Sequence, residues 1–387
     1  MHRIAASPEV LRWARERAGL SLADLQGRFL KLEELEEWEA GTSQPTMSQL
    51  EKFATATRVP FGFLFLPEPP EMPLPFADFR RVENRRRQGV SPELMDTIHL
   101  MRRRQAWLRE EQIEADVAPL ECVGSARLAD KPAATGRDMR RVLGLEDGWT
   151  KLAPTWTAAV GTLRSTIEKL GIMAVINGVV GNNTRRKLDV GEFRGFALSD
   201  PYAPLIFVNG ADAKSAQMFT LAHELAHLWL GDVGEGLSGF QGLQPDGGDV
   251  ERFCDQAAAE FLVPDMELRD AWQGIAATGT AFEKLARRFK VSPVVIGRRA
   301  MDLDLVDPEK FFSFYRNYMK RERQEQQPGT GGNFYHNQNT RVGQLFASHV
   351  TRAAQEGRIG FKEAYDLTGL NGGTFQTYAR KLGFNLP

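Results

Sequence analysis

The sequence predicts an α+β chain, mostly helical, in which an all-α domain precedes a domain with a small antiparallel sheet and a short helical segment follows it. Three observations lead there. Helix-start signals recur along the chain, at Ser7-Pro8, Ser21 with Asp24, Thr46 with Gln49, Ser91-Pro92 and Ser292-Pro293. Strand-like runs are confined to one stretch, LGIMAVING, FRGFALSD and PLIFVNG. Directly after them, FTLAHELAHLWLG has the period of a buried helix.

Taken in order, residues 1–68 read as a set of short helices closed by the proline cluster PEPPEMPLP. Residues 69–125 read as a linker, first Pro-rich and then Arg-rich and helical. FRRVENRRRQG carries Arg80, Arg81, Arg85, Arg86 and Arg87, and MRRRQAWLRE adds Arg102, Arg103, Arg104 and Arg109. Such a run is either a nucleic-acid contact or a solvated, salt-bridged helix from Ser91-Pro92 with Trp107 and Leu108 packed inward.

Residues 126–320 hold the sheet and the chemistry. Helical runs at DMRRVLGL and WTAAVGTLRSTIEKLG lead into the strands, and Asp212 is expected to cap the helix that follows. On that helix His223-Glu224-Leu225-Ala226-His227 places two imidazoles on one face, within reach of one Zn²⁺, with Glu224 positioned to take a proton from a water that the metal activates. Catalytic zinc needs a third protein ligand. A histidine six residues after the second is excluded, since that residue is Val233. The better candidate lies beyond a glycine-rich loop, in VERFCDQAAAEFLVP, where Glu251 and Asp255 share a helical face. There Glu251 would be the ligand, and Asp255 would hold the other ring nitrogen of a ligand histidine. Cys254 is the rival ligand, and Asp232, Glu235, Asp246 and Asp249 read as solvated loop acids. Tyr202, Arg194, Arg252 and His336 are candidates for stabilising an oxyanion.

Further on, AFEKLARRFKVSPVVIGRRAMDLDLV has a helix-turn-helix shape, in which Arg298 and Arg299 read as surface charges. Residues 321–338 read as a flexible polar linker and 339–387 as a small three-helix segment without a catalytic signature.

Composition narrows the function classes. With 49 basic and 50 acidic residues and a net charge of −1, no global field draws the chain to nucleic acid or to an anionic membrane. Two cysteines give no disulfide framework, and no apolar run approaches a membrane span, so the expected location is the cytoplasm.

FTLAHELAH, the Gly/Asp-rich loop and ERFCDQAAAEFLVP together resemble the ImmA/IrrE family of bacterial metallopeptidases over about residues 130–310. The family's second motif commonly runs Glu, three residues, Asn, then an alanine-rich stretch to a proline; Glu251, Asp255 and Pro264 fall on those positions, with Asp in place of Asn. The resemblance implies a zincin-like peptidase domain binding one Zn²⁺. FRGFALSD resembles the family's substrate-pairing strand, which nominates Phe193, Arg194, Gly195, Phe196, Ala197 and Leu198 as substrate-contacting backbone, the alternative being an internal core strand. LRWARERAGLSLADL with LEEWEAGTSQPTMSQLEKFA resembles the XRE-type helix-turn-helix. Its second helix carries Glu33, Glu34, Glu36, Glu37 and Glu39 against Lys31, a surface that DNA repels, so docking of a protein or formation of a homodimer competes with DNA binding there.

Two functions follow. The first is a zinc endopeptidase that cleaves a repressor or antitoxin-like DNA-binding protein and so derepresses stress, mobile-element or phage-defence genes. The second is an XRE-type transcription regulator whose zinc domain senses a ligand or partner without proteolysis.

Overall fold

The computed structural model describes residues 3–26, 31–70, 90–231, 237–238, 248–275, 279–325 and 338–386. The chain divides into two compact units, Met1–His99 and Leu100–Pro387.

In the first unit, α1 (Pro8–Arg17), α2 (Leu22–Gln26), α3 (Leu32–Ala40) and α4 (Met47–Thr57) enclose a core of Val10, Leu11, Leu25, Leu35, Trp38, Leu50 and Phe53. Of the caps anticipated from sequence, those of Ser21 and Thr46 form, whereas Ser7 precedes α1 without a side-chain capping hydrogen bond. Thr46 and Gln49 make a reciprocal capping box, and Asp24 accepts from the backbone and hydroxyl of Ser21. Trp38 packs edge-on against Phe53, and Glu39 beside it is held by Arg15 at 2.6 Å.

In the second unit a four-stranded sheet carries the architecture. It is built from β1 (Met173–Asn177), β4 (Gly195–Leu198), β5 (Leu205–Asn209) and β6 (Leu237–Ser238), in the order β1-β5-β4-β6. The expected antiparallel sheet is in fact mixed: β1 runs parallel to β5, and only the β4 pairings are antiparallel. The reason is the connection. Between β1 and β5 the chain makes a separate hairpin, β2 (Val179–Val180) with β3 (Asn183–Lys187), and then β4, which returns it to the starting end before β5 begins.

Strand alternation gives the sheet two apolar faces. Ala174, Ile176, Ala197, Ile206 and Val208 join the main core with α6 (Pro132–Val142), α7 (Trp156–Lys169), α8 (Lys214–Leu230) and α9 (Asp249–Leu262). Phe207, with Phe193 and Phe196 stacked on it, belongs to the opposite set of side chains. Helices α10 (Asp265–Gln273), α11 (Ala281–Phe289), α12 (Pro293–Asp302) and α13 (Pro308–Glu325) extend the main core.

The C-terminal segment packs onto this unit. A π-helical turn, Asn339–Gly343, meets β1, and α14 (Gln344–Gln355), α15 (Phe361–Thr368) and α16 (Gly372–Lys381) follow. Arg164 donates to Asn339 O, and Glu168 accepts from Leu345 N. The long helix α5 (Pro92–Glu114) supplies a further tie, since Gln105 donates to the carbonyls of Leu198 and Ala203.

Two arginines depart from the sequence reading. Arg104, expected in a solvated or nucleic-acid-binding run, is 1% exposed, because it lies on the same face of α5 as Met101 and Leu108. Its guanidinium donates to the carbonyls of Leu367, Thr368, Arg341 and Val342. Arg299, expected at the surface, is buried and pairs with buried Glu260 while donating to Val263 O. Arg298, one position before it, is exposed and pairs with Asp302.

Candidate metal centre

Helix α8 is buried almost throughout, from Gln217 to Leu230, so its polar residues need partners or a ligand. Asp212 does not cap it, as Ala213 holds the N-cap position; Asp212 instead pairs with Arg194 at 3.0 Å. Gln217 ties the first turn down by donating to the carbonyls of Gly210 and Asp212.

One turn separates His223 from His227, and their Nε2 atoms face each other at 2.9 Å. Helix α9 lies against α8 and brings Glu251 to the same point, 3.3 Å from His223 Nε2 and 3.5 Å from His227 Nε2. Ligand atoms held at about 2.0–2.1 Å from a tetrahedral ion stand about 3.3 Å apart, and these three separations bracket that value. The donor set therefore fits a divalent ion of the zinc type: two neutral imidazoles and one carboxylate.

Asp255, one turn beyond Glu251, accepts from His223 Nδ1 at 2.9 Å. That hydrogen bond places the proton on Nδ1 and leaves Nε2 free to ligate. Burial pushes the Glu251 carboxyl upward, but the hydrogen bond and charge of His223 and the charge of His227 outweigh it and bring it down to about 2. Burial also opposes a charged His223; the hydrogen bonds to Asp255 and Glu251 overcome it and hold the imidazole well above its ordinary value. Both shifts have one origin, a cluster built around a positive charge at the ring nitrogens.

Glu224 is fully buried next to this cluster. Strand β4 crosses α8 at Gly195, so close that a β-carbon there would sit 2.9 Å from Glu224 Oε1. Cys254 is also fully buried, in the main core, and the ligand cluster does not include it.

The strand nominated for substrate pairing is internal. At Gly195 and Phe196 the edge of β4 is taken by β6, and the carbonyl of Leu198 accepts from Gln105. The glycine-rich segment between α8 and α9 supplies β6, which covers that edge at these two residues. Phe193, Phe196, Ala197 and Leu198 are buried, while Arg194 keeps 26% side-chain exposure beside Asp212.

Of the oxyanion candidates, Arg252 pairs with Asp249 at the surface, and Tyr202 lies under the Arg109 guanidinium. His336 and Arg80, Arg81, Arg85, Arg86 and Arg87 lie outside the described residues. So do the loop acids Asp232, Glu235 and Asp246; Asp249 begins α9. Sequence reasoning nominated Gly195 as part of the substrate strand but missed its close approach to α8, whose signal is a glycine inside a strand pattern.

Residues 168–301 match the peptidase M78 family, described as the IrrE N-terminal-like domain. Residues 342–381 match a domain of unknown function, DUF8813. The chain is 33% identical over 100 residues to the radiation response metalloprotease IrrE of Deinococcus radiodurans. That alignment covers 24% of this chain and 29% of the relative, so the chain spans less than a third of the length of the curated relative it matches. Among the described residues, no helix is long and apolar enough to cross a membrane.

Proposed function

With residues 168–301 belonging to the ImmA/IrrE family through their IrrE N-terminal-like domain, we propose that this chain is a zinc-dependent endopeptidase acting on a repressor or antitoxin-like protein. The observation that carries the reading is the convergence of His223, His227 and Glu251, with the buried carboxylate of Glu224 on the same helix. His223, His227 and Glu251 would hold a Zn²⁺, which would supply Lewis acidity to a water and to the scissile carbonyl.

The chain's own groups do the proton work. Glu224 takes the proton of the attacking water and delivers it to the leaving amine as the peptide bond breaks. Asp255 fixes the His223 ring, and burial of Glu224 keeps bulk water from competing for its carboxylate. The N-terminal unit, whose α3 displays Glu33, Glu36 and Glu37 at its surface, serves as an XRE-like module for docking protein rather than for reading DNA. Cleavage of the repressor then releases the genes it holds, a stress, mobile-element or phage-defence set.

The test pairs metal analysis with a search for new protein termini. Wild type and Glu224→Gln are expected to carry about one zinc each, and His223→Ala and Glu251→Ala to lose it. In cells, new N-termini within a DNA-binding repressor are expected with wild type and not with Glu224→Gln. Equal zinc in all four proteins, or identical termini with wild type and Glu224→Gln, would overturn the reading.

A further inference from the structure

Among the described residues, α11–α12 and α15–α16 are pairs of consecutive helices joined by a short turn, and α2–α3 reads as such a pair from sequence; their second helices differ in what they offer to a ligand. That of α2–α3 presents Glu33, Glu36 and Glu37. That of α11–α12 is spent on packing, with Val294, Ile296, Gly297, Arg299 and Ala300 buried. The third pair is α15 and α16, joined by Gly369, Leu370 and Asn371.

This pair is built as a DNA-reading unit is. Gly369 has φ 69° and ends α15 in the left-handed conformation that such turns use. Leu370 is buried in the turn, and Tyr365 packs edge-on against Phe375 to hold the two helices together. With α14 before them, they form a three-helix unit. On α16, Phe375, Tyr378 and Ala379 face inward at helical spacing. Gly373, Gln376, Thr377 and Arg380 line the other face, with Gln376 and Arg380 exposed and Lys381 exposed next to them.

The charge pattern around this face is one-sided. No aspartate or glutamate occurs from Leu367 to Pro387. The β2–β3 hairpin lies against the turn, since Asn182 Nδ2 donates to Gly369 O at 2.9 Å. That hairpin carries Arg185, Arg186 and Lys187, with Arg185 and Lys187 exposed. From α5, exposed Arg103 reaches the last turn of α15 and donates to Asp366 O. Exposed acids nearby include Glu363 and Asp366 on α15, Asp189 beyond the hairpin, where it accepts from Gly191 N, and Glu356, paired with Arg358, after α14.

We infer that the C-terminal helix-turn-helix, residues 361–381, binds double-stranded DNA. Helix α16 enters the major groove, and the β2–β3 hairpin meets the adjacent phosphates. Gln376 and Arg380 have the bidentate chemistry that reads adenine and guanine edges, while Arg185, Lys187 and Arg103 supply sequence-independent attraction. This assigns an activity to the domain of unknown function, and it does not depend on the peptidase reading.

The test uses the full chain and a short fluorescein-labelled duplex of random sequence, titrated between about 50 and about 200 mM salt. Wild type is expected to bind with an affinity that falls steeply with salt. Arg185→Ala with Lys187→Ala is expected to reduce the slope of log affinity against log salt by about two, at about 0.9 per phosphate contact. Gln376→Ala with Arg380→Ala is expected to weaken the best duplex selected from a random pool by about tenfold or more. All substituted residues are at the surface, and circular dichroism and melting check that both variants fold. Absence of duplex binding at the low-salt end would overturn the inference. So would wild-type binding by both variants, which would place the DNA contact elsewhere in the chain.

Discussion

A β-carbon on Gly195 would lie 2.9 Å from Glu224 Oε1, 2.6 Å from Thr220 Cγ2 and 2.8 Å from the carbonyl oxygen of Phe207. Strand β4 thus passes over α8 with no room for a side chain, and the carboxylate beneath has its place set by strand backbone. One of the three neighbours is strand backbone and the others are buried side chains of α8, so the helix or the strand must give way if the gap is filled. Gly195→Ala is expected to cost about 1–3 kcal/mol in urea denaturation. It is also expected to displace Glu224, so that cleavage falls by more than tenfold while zinc is retained. A variant as stable and as active as wild type would show that strand and helix separate freely there.

Asp255 touches no metal in this arrangement; it acts through the His223 ring. Asp255→Ala is expected to lower zinc affinity by about 10–100-fold, measured by competition against a chromogenic chelator. Asp255→Asn keeps an acceptor oxygen for Nδ1 and is expected to lose less. Equal and large losses in both variants would mean that the negative charge matters more than the orientation of the ring.

The centre itself was legible in sequence because its residues follow helical periodicity: the ligands His223 and His227 four apart on one helix, and the ligand Glu251 four residues before Asp255 on another. Periodicity speaks for one element at a time. It identified β1, β4 and β5 but not the β2–β3 hairpin, β6, or the parallel pairing of β1 with β5, which depends on how the chain returns between them. For the same reason sequence did not choose between a substrate-pairing and an internal place for β4, whose edge a two-residue strand from a glycine-rich stretch takes at Gly195 and Phe196. Arg104 and Arg299 read as surface charges because their burial depends on carbonyls and a carboxylate contributed by distant parts of the chain.

The two thiols report on closure of the fold. Burial pushes the Cys122 thiol up to about 11 and raises Cys254 well above its ordinary value. At pH 8 about one Cys122 in a thousand would be thiolate, so labelling by a thiol reagent is expected to be slow in the native protein and fast in guanidinium. The unfolded thiol ionises near 9, below the folded value, so alkaline solution favours the unfolded chain. Stability is expected to fall by about 2–3 kcal/mol as pH rises from 9 towards 11, and Cys122→Ala to remove that loss. Rapid labelling of both thiols at pH 8 without denaturant would contradict this burial.

Adjacent arginines on α5 offer a sharper test of packing. Arg103 is exposed, and its one backbone acceptor, Asp366 O, lies at the surface. Arg104 is buried, lies 5.5 Å from the Phe346 ring, and donates to carbonyls at the end of α15 and in the π-helical turn before α14. Burial brings its pKa down to about 9, so at neutral pH it remains a cation, solvated by carbonyl dipoles in place of water. Removing it leaves several carbonyls without their donor. Arg104→Ala is therefore expected to cost about 2–5 kcal/mol, against about 0.5 kcal/mol or less for Arg103→Ala. The damage is expected where those carbonyls lie, so hydrogen exchange should quicken first in α14–α16 while α8 and α9 stay protected. Equal stability of the two variants, or exchange that quickens uniformly, would mean that Arg104 does not anchor the C-terminal helices.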